Sequence, residues 1–200
     1  MTISRKPYVK DNEISIYPIT DEDREYYVEL YRQINGEKTM YLNPLVKDMM
    51  WEQTLRGDIK VFSIFDSENE YCGSLELQPH TNDEYEIGID LLEEKRNKGI
   101  AAKAVRLFAK QTYLDGITDF FLIRISSLNP HSKHVFEKMG AVLIKESKST
   151  YAEFADKYRE LLEDARFEDA QDKFKEHFPD PEKEVVYEYK LLPESFLSIS

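Results

Sequence analysis

Cysteine is almost missing from this 200-residue chain: Cys72 stands alone, which excludes an internal disulfide and a thiolate-rich zinc site. No stretch approaches the roughly 20 apolar residues that a membrane-spanning helix needs. The opening run MTISRKPYVKDNE lacks the apolar core of a signal peptide, so the cytoplasm is the expected location and no membrane partner is expected. Positive charge is in short supply, with 27 Lys and Arg against 39 Asp and Glu, a formal net charge of -12. Such a balance argues against a nucleic-acid partner, which calls for a basic face that displaces counterions. It suits cationic substrates. The four histidines, His80, His131, His134 and His177, show no HExxH spacing. His131 and His134 are three apart with no third ligand in view, so no metal is expected and both are read as surface residues.

What is present is an ordinary globular composition at a length that favours a single domain over residues 1–200. A chain of this size buries roughly 70% of its unfolded surface and needs no metal or disulfide staple. Amphipathic stripes predict helices over 20–34, 44–56, 100–114 and 130–139. Asn43-Pro44 and Asn129-Pro130 supply N-cap and first-turn pairs. Four of the seven glycines, Gly36, Gly57, Gly116 and Gly140, follow these stripes, where a left-handed cap is expected. Runs rich in branched and aromatic residues predict strands over 13–18, 59–65, 71–77, 85–91, 120–126, 141–144 and 185–191. Gly73 and Gly88 fall inside strands, which signals a bulge or a close backbone approach. The order predicts an α/β (α+β) domain, a mixed sheet of about seven strands flanked by helices. Residues 151–178 are highly charged, with two offset apolar stripes, and are read as a helical insertion before the last strand.

Gly99 differs from the other glycines because it opens a helix instead of closing one. A strand ending at Leu91, the loop Arg96-Asn97-Lys98-Gly99 and a helix beginning Ile100-Ala101-Ala102 form a recipe for anion binding. First-turn amides have no partner within the helix, and they lie at the positive end of its dipole. Gly99 and Ala101 keep bulk away from them, while Arg96 and Lys98 add positive charge. There is no GxxxxGK[ST] and no GxGxxG, so neither a P-loop nor a dinucleotide fold is supported.

Arg96, Gly99 and Ala101 resemble motif A, R/Q-x-x-G-x-G/A, of the GCN5-related N-acetyltransferases (GNAT). Asn129-Pro-His-Ser132-Lys-His-Val-Phe136-Glu137-Lys138-Met-Gly140-Ala141 is similar to that family's motif B. The likeness covers roughly residues 13–144 and the last strand, in the manner of the ribosomal-protein and spermidine acetyltransferase branch. It implies a single, mostly antiparallel twisted sheet and an acetyl-CoA-dependent N-acetyltransferase acting by direct transfer.

The resemblance places the pyrophosphate of acetyl-CoA, a cosubstrate, on the amides from Arg96 to Ala101, with Ala102 nearby, and the pantetheine along the backbone at Leu91 and Leu92. Gly88 would fit the splaying of the two strands that receive it. Asn129 would bond the pantetheine or cap its helix. The acceptor must lose a proton, because a lysine-like amine is only about 0.04% neutral at pH 7. Alternation puts Glu84, Glu86 and Asp90 on one strand face, and Glu86 is taken as the base, against the alternative of a solvated acidic face. The family's motif-B tyrosine, which protonates the leaving thiolate, is Phe136 here, so Ser132 is taken as a candidate donor or coenzyme contact. Cys72 reads as a core residue and Trp51 as core packing or, second, as a substrate wall. The acceptor is an amine on a protein N-terminus, a polyamine or another small molecule. The alternative is a catalytically weak acyl-CoA-binding module whose 151–178 arm recruits a partner; a homodimer through that arm is a further arrangement the sequence leaves open.

Overall fold

In a computed structural model, residues 3–34, 43–81, 84–148 and 184–197 are described. The expected insertion over 151–178, including Tyr151, lies outside them, as does Gly36. Strand β1 (Val9–Lys10) and β2 (Ile14–Pro18) lead through a 3-10 turn, Asp21–Asp23, into α1 (Arg24–Ile34) and then α2 (Pro44–Arg56). Strands β3 (Lys60–Asp66), β4 (Tyr71–Pro79) and β5 (Tyr85–Leu91) follow as a meander. After α3 (Ile100–Leu114) come β6 (Phe121–Ser126), α4 (Pro130–Lys138), β7 (Val142–Lys148), β8 (Val185–Leu191) and a short α5 (Glu194–Leu197).

These strands make one mixed sheet of eight, in the order β1-β2-β3-β4-β5-β6-β8-β7, rather than about seven. The additional strand, β1, is two residues long and too short to carry an alternation signal; Val9 pairs with Ile16. All pairings are antiparallel except β5 with β6. Among the described residues, no helix is long and apolar enough to cross a membrane.

Alternation gives the sheet two unlike faces. One carries Ile16, Ile64, Leu75, Leu77, Ile87, Phe121 and Ile123, which pack with Val105 and Phe108 of α3, Phe136 of α4 and Phe196 of α5 into the main core. The other lies under α1 and α2 and packs in two smaller clusters: Leu30 with Tyr17, Phe65 and Tyr71, and Tyr27 with Trp51 and Val61. Asn43 caps α2 by accepting from the Leu45 N–H at 3.0 Å, and Pro44 occupies the first turn.

Gly73 shows why a strand interior takes a glycine. A Cβ there would lie 2.0 Å from the Asp90 carbonyl oxygen of β5, and the register of β4 on β3 shifts beside it. Gly57 departs from expectation. It ends α2 in an extended conformation, φ -72°, with its N–H on the Gln53 carbonyl, so no left-handed cap forms there, whereas Gly116 and Gly140 do take positive φ.

Candidate active site at the fork between β5 and β6

The parallel pair β5–β6 keeps register at only two positions, Tyr85 with Phe121 and Glu86 with Leu122. Beyond Glu86 the two strands no longer pair among the described residues. Leu92 N–H donates to the Cys72 carbonyl at 3.0 Å, which makes those residues a hydrogen-bonded pair of the antiparallel ladder. By the alternation of such a ladder, the polar backbone groups of Ile87, Ile89 and Leu91 turn away from β4, toward the fork. Arg96 Nε donates to the Leu91 carbonyl at 3.0 Å, tying the loop to the end of β5. Thus the Leu91 N–H lies outside the β4 ladder, while the Leu92 N–H is already engaged with β4.

At the mouth of this fork stands the loop that opens α3. Asn97 and Gly99 both adopt positive φ, +60° and +77°, with Arg96 at -72° before them. The helical ladder begins with Lys103 N–H on the Gly99 carbonyl, 3.2 Å, which leaves the N–H groups of Ile100, Ala101 and Ala102 outside it. A Cβ at Gly99 would meet no atom within 4 Å, so the space beside this residue is open. Arg96, Asn97 and Lys98 are exposed. Such a cradle can hold a diphosphate.

On the face beneath α1 and α2, a cleft of about 850 Å³ is lined by Tyr27, Tyr31 and Met50 and by the carboxyls of Asp58, Glu76 and Asp90. No lysine or arginine is among the described residues that line it. The strand register explains the clustering: Ser74 pairs with Asp90, Glu76 with Gly88 and Gln78 with Glu86, so Glu76, Glu86, Gly88 and Asp90 share one face. Burial raises the Glu76 carboxyl above its ordinary range, and the neighbouring charges of Asp90 and Glu86 add to the rise against a hydrogen bond from Tyr27. Tyr27 donates to Glu76 Oε1 at 3.4 Å. Asp90 is likewise raised by burial, opposed by the charge of Arg96.

Glu86 lies on this face as the alternation predicts, but its Oε2 accepts from Arg124 Nε of β6 at 2.6 Å. Glu84 instead stands at the strand entrance, where its carbonyl accepts from the His80 and Thr81 N–H groups. Asn129 caps α4, its side chain accepting from the Ser132 N–H at 3.0 Å. Phe136 is 3% exposed in the main core, so the side chain at the motif-B tyrosine position is a packing residue. Tyr113 packs against Phe196, and Tyr189 donates to Glu137 Oε1 at 2.9 Å. Cys72 is buried, and burial pushes its thiol up to about 11, with Asp66 adding to the rise. It is a packing residue. Trp51 Nε1 donates to Asp21 Oδ1 at 2.8 Å while the ring packs on Tyr27, which identifies it as core.

Sequence reasoning passed over Glu76, Tyr27 and Asp58. The signal for Glu76 was a single acid among Ser74, Glu76 and Gln78, alternating against Leu75 and Leu77. Its meeting with Asp90 depends on cross-strand register, which no local pattern carries.

No curated protein matches the sequence. Among solved structures, the spermidine N-acetyltransferase from Vibrio cholerae in complex with CoA and spermine is similar, at TM-score 0.65 and 12% identity over 94% of this chain and 100% of that one. The spermidine/spermine N-acetyltransferase SpeG of the same organism, in complex with manganese ions, gives a TM-score of 0.61 at 14% identity over 92% and 95% of the two chains. At these identities the likeness is one of fold. A model of the acetyltransferase (GNAT) domain matches residues 13–142, which spans the meander, the cradle at Gly99, the fork and α4. The chain therefore belongs to the GNAT acetyltransferase family.

Proposed function

We propose that this acetyltransferase moves the acetyl group of acetyl-CoA to a primary amine held in the acidic cleft under α1 and α2. The observation that carries the reading is the pairing of an anion cradle at the mouth of the central β5–β6 fork with a cleft whose charged lining, among the described residues, is acidic. Acetyl-CoA supplies an activated thioester. In this reading the amides from Arg96 to Ala102 take its pyrophosphate, Lys98 adds charge at the mouth, and the N–H of Leu91 pairs with the pantetheine as an added strand would. Asn129 acts chiefly through the α4 cap, which fixes Ser132. Ser132 hydrogen-bonds the departing sulfur or the coenzyme.

The cleft favours a small amine with more than one positive charge. Three carboxyls with no lysine or arginine among the described lining residues attract such a cation, and the rings of Tyr27 and Tyr31 stand in the same wall. The spermine found with the similar Vibrio cholerae enzyme is of that chemical kind. A polyamine therefore ranks before a protein N-terminus.

Release of free thiol from acetyl-CoA, measured against a panel of polyamines, aminoglycosides and short peptides, tests this. Turnover is expected with polyamines. Coenzyme binding without turnover on any amine would instead support a coenzyme-binding module, a reading that the burial of Phe136 in the core favours.

A further inference from the structure

We propose that Glu76 is the catalytic base of the transfer, reaching the acceptor nitrogen over Gly88, with Asp90 holding the ammonium beside it. The assignment rests on the acetyl-transfer reading above and deepens it.

Geometry selects Glu76. The fork closes at Glu86 and Leu122, the last registered pair of β5 and β6. A thioester entering from the cradle at Gly99 therefore comes to rest near residues 87 and 88, where the fork narrows. On the face that lines the acceptor cleft, β5 offers Glu86, Gly88 and Asp90 there. Gly88 has no side chain, and its backbone does not demand glycine: φ is not positive, and a Cβ would meet only the Glu76 Cβ, at 3.7 Å. The gap above Gly88 is thus open without serving the fold, and the side chain standing directly across it is Glu76.

Chemistry selects it again over Glu86. Glu86 is engaged by Arg124 at 2.6 Å, so its carboxylate is occupied by a cation. Glu76 has only a long bond from Tyr27 and no cation in contact among the described residues. The groups facing it are Asp90 and Glu86 from β5 and Tyr27 from α1, with Tyr31 and Asp58 elsewhere in the cleft wall. Its neighbours are acids and phenols, and its carboxyl is raised. Such a carboxylate is more basic than an ordinary one.

The proton balance is simple. The acceptor arrives as an alkylammonium, and one N–H proton passes to the Glu76 carboxylate. The neutral nitrogen then forms the C–N bond at the thioester carbon, the C–S bond breaks, and the sulfur leaves with its electron pair. A second nitrogen proton ends on that sulfur, and Glu76 returns its own to water.

The test uses the full chain, with acetyl-CoA and spermidine, thiol release being followed from pH 5 to 10. Glu76→Gln is expected to lower kcat by about 100-fold or more, to leave the KM for acetyl-CoA unchanged, and to replace the acid limb set by the carboxyl with one at higher pH set by the amine itself. Its residual rate should then climb with pH as the free amine accumulates. Glu86→Gln is expected to retain the acid limb, and Asp90→Asn to raise the KM for spermidine. If Glu76→Gln does not fold, Glu76→Asp should keep the limb with kcat at least about tenfold lower. Wild-type turnover with an unaltered Glu76→Gln profile overturns the assignment alone. A wild-type chain that acetylates no amine overturns the transfer reading and the assignment together.

Discussion

Arg124 of β6 donates to the Glu86 carboxylate of β5 at 2.6 Å, clamping the parallel pair at the last position where it keeps register. The contact has a consequence beyond the fork's shape. It occupies the acid that the sequence marks as the base and leaves Glu76, on the same face, with no cation in contact among the described residues. Because Arg124 is 43% exposed and Glu86 16%, the pair is a partly screened one. Arg124→Gln is expected to cost about 1 kcal/mol in urea unfolding and to raise the KM for acetyl-CoA as the fork loosens. An unchanged KM would show that the pair has no part in setting the fork.

The two strand glycines should respond in opposite ways. Gly73→Ala puts a methyl group 2.0 Å from the Asp90 carbonyl oxygen and forces β4 and β5 apart. We expect a loss of about 3 kcal/mol or more, read from the denaturant midpoint. Gly88→Ala meets only a van der Waals contact at 3.7 Å and should leave the midpoint within about 0.5 kcal/mol of wild type. It narrows the opening used by the thioester, so turnover should fall while the fold stands.

Lys95 joins the turn before the cradle to the β3–β4 hairpin, donating to Asp66 at 2.8 Å and Glu70 at 2.6 Å. Burial works to raise the Asp66 carboxyl, but the Lys95 hydrogen bond and the N–H groups of Glu70 and Glu68 outweigh it and hold the group below its ordinary range. A carboxyl depressed in the folded state adds stability above its unfolded pKa, near 4, and that stability is lost as pH falls through the lower folded value. Lys95→Met should therefore lower stability by about 1 kcal/mol at pH 7, with the difference from wild type shrinking below pH 4. A difference constant from pH 7 to pH 2 would refute the linkage.

Glu76 and Asp90 have the opposite sign. Their carboxyls are raised on folding, so the folded state favours the protonated form and stability falls as pH rises through the unfolded and then the folded pKa. Glu76→Gln and Asp90→Asn should each raise the melting temperature at pH 7 to 8, with the gain diminishing toward pH 4. Loss of turnover alongside a gain of stability is the pattern of acids kept for chemistry.

Much of the architecture is visible locally. Strands 85–91 and 185–191 and helix 100–114 have the bounds their alternation and stripes predict, because each is long and bounded by clear breakers. Gly99 at the opening of α3 is legible because a glycine that opens a helix is a local feature, and the helix does begin directly after it. The acceptor cleft is less so. Glu76 and Asp90 are 14 positions apart and meet only through antiparallel register, and Arg124 reaches Glu86 across a parallel pair 38 residues away. Gly57 misleads because a glycine after a helix fits both a left-handed cap and an extended exit. Phe196 was passed over because a four-residue helix has too few turns to show a stripe.

Calorimetric titration of CoA into wild type, Gly99→Asn and Gly99→Asp tests the central claim, that the amides around residue 99 cradle a pyrophosphate. Asn and Asp both tolerate the left-handed conformation that Gly99 adopts, so the two variants differ chiefly in charge. The account predicts that Gly99→Asp weakens binding by at least about 100-fold, some 2.7 kcal/mol, and more than Gly99→Asn does, with melting temperatures alike. Equal affinity for CoA in wild type and Gly99→Asp would contradict it.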